Sequence, residues 1–129
     1  MAVVPIAEQR TRILVAHPDA ELRHAAKSSL ERAGYEVATA GDGLEGLRVA
    51  IAVQPHVVIA DAIMPKMDGR ELCQLLKSQE KTSHIKVVLL TRNSGETRGE
   101  PGLNPDEILR KPVPFEVLRT SLTNLLART

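Results

Sequence analysis

The run His56–Gly69, HVVIADAIMPKMDG, passes from five residues, four of them apolar, straight into an aspartate, Asp61, and then into a Met-Pro turn. Apolar residues without alternation suit a strand buried on both faces of a parallel sheet, here expected over His56–Ala60. A carboxylate has no place inside such a strand. Asp61 is therefore expected at the mouth of the sheet, where water and a reacting partner reach it, and it is the first candidate for chemistry.

The flanking sequence repeats the same grammar. Arg12–Ala16 (RILVA) is a second short apolar run, and after it Leu22, Ala26, Leu30 and Ala33 recur at helical spacing, with Gly34 where a helix end wants glycine. Tyr35–Ala40 alternates as a strand, and Asp42 with Glu45 three residues on predicts a capped helix to about Val53, broken by Pro55. Downstream, Asp68 and Glu71 repeat the capping spacing before a helix whose Leu72, Leu75 and Leu76 share a face. Ile85–Leu90 is the fourth strand. Arg92–Pro105, RNSGETRGEPGLNP, offers three Gly, two Pro and a single large apolar side chain, Leu103, which is too little for an amphipathic helix. Glu107–Arg110 is a short fifth strand ended by Lys111-Pro112. Pro114 then opens a last helix with the stripe Phe115, Leu118, Leu122, Leu125 and Leu126.

Strands alternating with helices define an α/β, doubly wound five-stranded parallel sheet with helices on both faces, the fourth helix short or missing. The strand order that fits so short a chain is 2-1-3-4-5, whose switch point lies between strands one and three. The ends of those strands, His17-Pro18-Asp19 and Asp61, then border one crevice. Residues 1–11 are expected as an N-terminal extension and 12–129 as one domain.

Composition narrows the function. A net charge of +1, with both signs interspersed, gives no basic face for nucleic acid. Tyr35 and Phe115 are the only aromatic residues, which removes stacking platforms for single strands and any sandwich for a flavin. Cys73 is the lone cysteine, so no internal disulfide forms, and it is expected as a packed helix residue in a reducing, cytoplasmic setting. No run is long enough for a membrane span. The histidines at 17, 24, 56 and 84 fall on different elements and predict no zinc site, and no glycine-rich nucleotide loop is present.

Asp61, Met64-Pro65, Asp68-Gly69, Thr91 at the end of strand four and Lys111-Pro112 after strand five together resemble the receiver domains of response regulators in two-component signalling, from Ile13 to about Ala127. The resemblance implies that Asp61 accepts a phosphoryl group from a sensor histidine kinase, that Lys111 pairs with a phosphoryl oxygen, and that the Thr91 hydroxyl turns toward the acyl phosphate. It also implies Mg²⁺ held by Asp61 and a backbone carbonyl at Ile63. Four positions depart from the family pattern. His17 and Pro18 stand where two acidic residues help hold the metal, leaving Asp19, one residue on, as a weak ligand, so Mg²⁺ binding is expected to be weak or absent. Arg92 replaces a small residue, and Ile108 replaces an aromatic one. His17 itself is expected to be structural or partner-facing. Two readings follow: a phosphorylatable receiver with weakened Mg²⁺ binding, or a pseudo-receiver that docks proteins without phosphate chemistry. Neither is an enzyme beyond self-phosphorylation and dephosphorylation. The expected partner is a histidine kinase or other signalling protein, with no direct nucleic acid or membrane contact, and the chain is expected to be a monomer or weak dimer.

Overall fold

The computed structural model describes residues 10–92 and 103–127. Five strands, β1 (Arg12–Ala16), β2 (Glu36–Ala40), β3 (Val57–Asp61), β4 (Lys86–Thr91) and β5 (Glu107–Arg110), pair in the order β2-β1-β3-β4-β5. Every pairing is parallel. Four helices are described: α1 (Ala20–Arg32), α2 (Gly43–Val53), α3 (Gly69–Ser78) and α4 (Phe115–Ala127).

The two-residue period of the strands divides the core. Leu14, Ala16, Val58, Ala60, Val87 and Leu89 face α2 and α3, where they meet Ala50, Leu72, Cys73 and Leu76. Ile13, Val15, Val57, Ile59 and Val88 face the other way and pack on Leu30 of α1 and on Leu118, Leu122 and Leu125 of α4. The sheet is thus covered on both sides, as its unbroken apolar strands require.

Both anticipated capping aspartates act as such: Asp42 Oδ1 accepts from the Glu45 N–H at 2.8 Å and Asp68 Oδ1 from the Glu71 N–H at 2.9 Å. Gly34, just past α1, has φ +101°, a left-handed conformation that glycine adopts without a Cβ penalty. β3 and β4 each run one residue further than the apolar pattern indicates, so Asp61 and Thr91 are the last residues of their strands.

The expected apolar face of α1 is only partly buried. Leu22 is 55% exposed and Ala33 is exposed, so Leu30, with help from Ala26, anchors the helix. Helical spacing identifies a face, but it does not say how far the helix overhangs the sheet beneath it. The expectation of a short or missing fourth helix falls on residues 93–102, and most of the expected N-terminal extension on residues 1–9; both lie outside the described residues. Leu103 is buried against the α2–α3 face of the sheet. Among the described residues no helix is long and apolar enough to cross a membrane.

Candidate functional site

Parallel pairing brings the C-terminal ends of β1, β3, β4 and β5 to one edge. Asp61 closes β3 there and is 4% exposed. Leu90 of β4 lies opposite Asp61, so Thr91, buried in its turn, stands one step beyond it on the neighbouring strand. The Lys111 N–H donates to the Thr91 carbonyl at 2.8 Å, which carries the β4–β5 ladder past Arg110. From that anchored backbone the lysine side chain reaches over β4 to β3, and its Nζ lies 2.8 Å from Asp61 Oδ2.

The other side chain at this oxygen belongs to the residue just after β1. His17 Nε2 lies 3.2 Å from Asp61 Oδ2. Its opposite nitrogen, Nδ1, accepts the Asp19 N–H at 3.0 Å. A ring nitrogen that accepts carries no proton, so the single proton of the neutral ring is on Nε2, the nitrogen nearer Asp61. Burial lowers the affinity of His17 for a second proton and the Lys111 charge lowers it further, outweighing the opposing pull of Asp61. The contact is therefore the close approach of a neutral imidazole, outside hydrogen-bond alignment, whereas the Lys111 contact is a hydrogen-bonded ion pair. Backbone anchors fix the ring: the His17 N–H donates to the Ala40 carbonyl at 3.0 Å, and the His17 carbonyl accepts from Arg23 Nη1 at 2.7 Å.

The remaining carboxylate oxygen, Asp61 Oδ1, accepts the Ile63 N–H at 3.1 Å, while the Ile63 side chain is exposed to solvent. Gly69 closes the site from behind. An ideal Cβ built there would stand 2.2 Å from the Asp61 carbonyl oxygen, so only glycine lets α3 start this close to the strand.

The sequence-identified residues therefore divide. Asp61, Lys111 and Thr91 share the crevice, and Ile63 contributes its backbone. Asp19 caps α1, with Oδ1 accepting the Glu21 and Leu22 N–H groups at 2.9 and 3.3 Å. Pro18 and Arg92 are exposed, and Ile108 is half-buried in β5 opposite Leu89. His17 faces inward to Asp61, which sequence reasoning did not assign to it. The available signal was its position, immediately after β1 and across the switch point from Asp61. Cys73 is fully buried, with its thiol pushed up to about 11 by burial, so it stays protonated and inert. A surface depression of about 410 Å³ lies between α1 and α4, lined by Ser29, Arg32, Ala33, Phe115 and Arg119, and it contains none of the crevice residues.

These donors do not fit a Mg²⁺ cage. The ion wants oxygen ligands in near-octahedral geometry, yet among the described residues Asp61 is the one carboxylate at the crevice, and the His17 imidazole stands 3.2 Å from its Oδ2. Among the described residues no three His, Cys, Asp or Glu side chains converge to hold a metal.

A doubly wound sheet with a carboxylate, an ammonium and a threonine gathered at its strand ends defines a flavodoxin-like α/β domain. The chain belongs to the response regulator receiver domain family, whose model matches residues 13–123. Among its relatives, the DNA-binding dual master transcriptional regulator RpaA of Synechocystis is 34% identical over 120 residues, which is 92% of this chain and 50% of RpaA. Histidine kinase P4 of Formosa agariphila is 36% identical over 121 residues, 92% of this chain but 9% of that protein. The chain thus spans half or less of the length of these relatives. The receiver domain of a signal transduction histidine kinase from Syntrophus aciditrophicus superposes with a TM-score of 0.85 at 30% identity, covering 92% of each chain. The response regulator TrrA of Thermotoga maritima, solved in complex with Mg²⁺-BeF, gives a TM-score of 0.80 at 30% identity over 89% of this chain and 98% of that one. Receiver domains are signalling modules of two-component systems.

Proposed function

We propose that this cytoplasmic receiver takes a phosphoryl group on Asp61 from a sensor histidine kinase, with Mg²⁺ binding that is weak or absent. An oxygen of Asp61 bonds to phosphorus as the bond from phosphorus to the donor's imidazole nitrogen breaks, and that nitrogen leaves with the electron pair. Lys111 offsets the charge on the phosphoryl oxygens, and the Thr91 hydroxyl turns to hydrogen-bond the acyl phosphate. The observation that carries this reading is the 2.8 Å pair between a half-buried Lys111 Nζ and the buried Asp61 Oδ2 at the strand ends.

A second reading has one specific observation in its favour: both Asp61 oxygens already accept hydrogen bonds from groups of the chain itself, Lys111 at Oδ2 and Ile63 at Oδ1, with the His17 ring 3.2 Å from Oδ2. A carboxylate so satisfied suits a pseudo-receiver that docks a signalling protein without phosphate chemistry. Incubation with acetyl phosphate and intact-mass measurement separates the two. An adduct of one phosphoryl group that disappears in Asp61→Asn is expected; no adduct on the wild-type chain would leave the docking module.

A further inference from the structure

We infer that His17 occupies the place of a divalent cation at Asp61, so that the crevice works with an imidazole N–H and the Lys111 ammonium and without metal. The inference deepens the phosphoacceptor reading and rests on it for its chemical half.

Three features of the geometry point this way. The first is exclusion. A Mg²⁺ bound to a carboxylate oxygen sits at about 2.1 Å, and His17 Nε2 is 3.2 Å from Asp61 Oδ2 on the side open to β1. A cation on that side of Oδ2 would crowd the ring nitrogen, which already stands 3.2 Å from the same oxygen. The second is permanence. The ring is held from behind by the Asp19 N–H on Nδ1, while its own backbone is tied to Ala40 and Arg23. Rotating the ring aside for a metal strips Nδ1 of its donor and offers the cation a nitrogen, which Mg²⁺ binds poorly. The third is suitability. A donor fixed in position before reaction stabilises developing oxyanion charge without reorganisation. When phosphorus bonds to an Asp61 oxygen and acetate departs from acetyl phosphate with its electron pair, that oxygen loses its negative charge, and the nearby Nε2–H is available to hydrogen-bond a phosphoryl oxygen. His17 supplies direction and Lys111 supplies charge.

The turn that builds this arrangement is encoded in three consecutive residues. Pro18 has a fixed φ and no N–H of its own, and it separates His17 from Asp19 by the one residue over which the Asp19 N–H reaches back to Nδ1. The Asp19 carboxylate is turned to the start of α1. Both family acidic positions are thereby filled by parts of a donor-orienting turn.

The test uses the whole chain and has three readouts. Binding of Mn²⁺, a paramagnetic substitute for Mg²⁺, is followed by electron paramagnetic resonance; wild type is expected to bind weakly and His17→Asp at least about tenfold more tightly, because an oxygen ligand replaces the N–H. Pro18→Asp, which adds a carboxylate but leaves the ring, is expected to gain much less. In ¹⁵N spectra, the His17 ring is expected as the Nε2–H form, with its Nε2 resonance moved by Asp61→Asn. With acetyl phosphate, adduct formation on wild type is expected to change less than about twofold between EDTA and Mg²⁺, and His17→Asp is expected to become metal-dependent by about tenfold or more. Wild-type Mn²⁺ affinity equal to that of His17→Asp, a gain in Pro18→Asp as large as in His17→Asp, or an Nδ1–H ring overturns the inference. Absence of any adduct on wild type, with or without metal, removes the phosphoacceptor reading alone, because metal exclusion is decided by the first two readouts.

Discussion

Gly69→Ala places one methyl group against the backbone that presents Asp61, and its cost follows from three distances. The new Cβ would lie 2.2 Å from the Asp61 carbonyl oxygen, 2.9 Å from its carbonyl carbon and 3.1 Å from Ala62 Cα. Ordinary non-bonded contact begins near about 3.5 Å, so strand and helix must part by more than about an ångström, and no side-chain rotation relieves a clash with backbone. The hydrogen bond from Gly69 N–H to the Ala62 carbonyl, now 3.0 Å, stretches with it. Overpacking of this kind costs about 1–3 kcal/mol, little offset by helix propensity because Gly69 is the first residue of α3. With a urea slope of about 1–3 kcal/mol/M, the unfolding midpoint should fall by about 1 M. Gly46→Ala is the control within the same fold. Its Cβ meets the end of a movable side chain, Leu72 Cδ2, at 3.2 Å, and the helix interior gains up to about 1 kcal/mol from alanine. That variant should unfold at the wild-type midpoint or slightly above it. Equal shifts in the two variants, or no shift in Gly69→Ala, would refute the claim that α3 begins against the Asp61 carbonyl.

Asp106 Oδ2 accepts both Lys77 Nζ and the Val87 N–H at 2.7 Å, tying α3 and β4 to the entry of β5. Asp106→Asn keeps an acceptor for Val87 but leaves the ammonium without its anion, a loss of about 1–2 kcal/mol at this part-buried site, or roughly 4–8 °C in Tm; an unchanged calorimetric Tm would show that the tie contributes nothing. His17 and His56 both hold their second proton less well than the ordinary 6.5, chiefly through burial, with Lys111 adding to the effect at the first and Arg12 at the second. The unfolded chain therefore binds protons that the native chain refuses as pH falls through 6.5, so stability is lost on acidification. Tm should decline from pH 8 to about 5.5, with the decline reduced in His56→Gln; a Tm that rises over that window would reverse the sign. Asp42, held below 3.8 chiefly by the Glu45 N–H, adds to the loss only at lower pH.

Most of the fold was legible because its signals are local. Apolar runs, two aspartate caps and Gly34 each act within a few residues, and the strand order follows from connection rules once strands and helices alternate. Leu22 shows where periodicity stops: it gives the direction of a side chain and not whether anything lies beneath it. At the site, Asp61 and Lys111 stand 50 residues apart, and only the topology, not their spacing, places them on one edge. The tie between Lys77 and Asp106 spans 29 residues with no pattern to announce it. The orientation of the His17 ring was illegible for a different reason. Position 17 is a residue after a strand in any sequence, and what turns the ring toward Asp61 is an N–H two residues later, a donor every residue but proline carries.

That dependence on backbone donors unites the crevice. Asp61 Oδ1 is held by the Ile63 N–H, the His17 ring by the Asp19 N–H, and the Lys111 backbone by the Thr91 carbonyl. Each of these groups lies at or just beyond a strand end, so the relative positions of carboxylate, imidazole and ammonium are set by the register of β1, β3, β4 and β5 and not by side-chain packing. A substitution at one of the three side chains changes the chemistry and leaves the frame. A change that moves a strand end, as at Gly69, shifts all three contacts together, and this is why stability and site geometry are expected to fail in concert there and separately at His17.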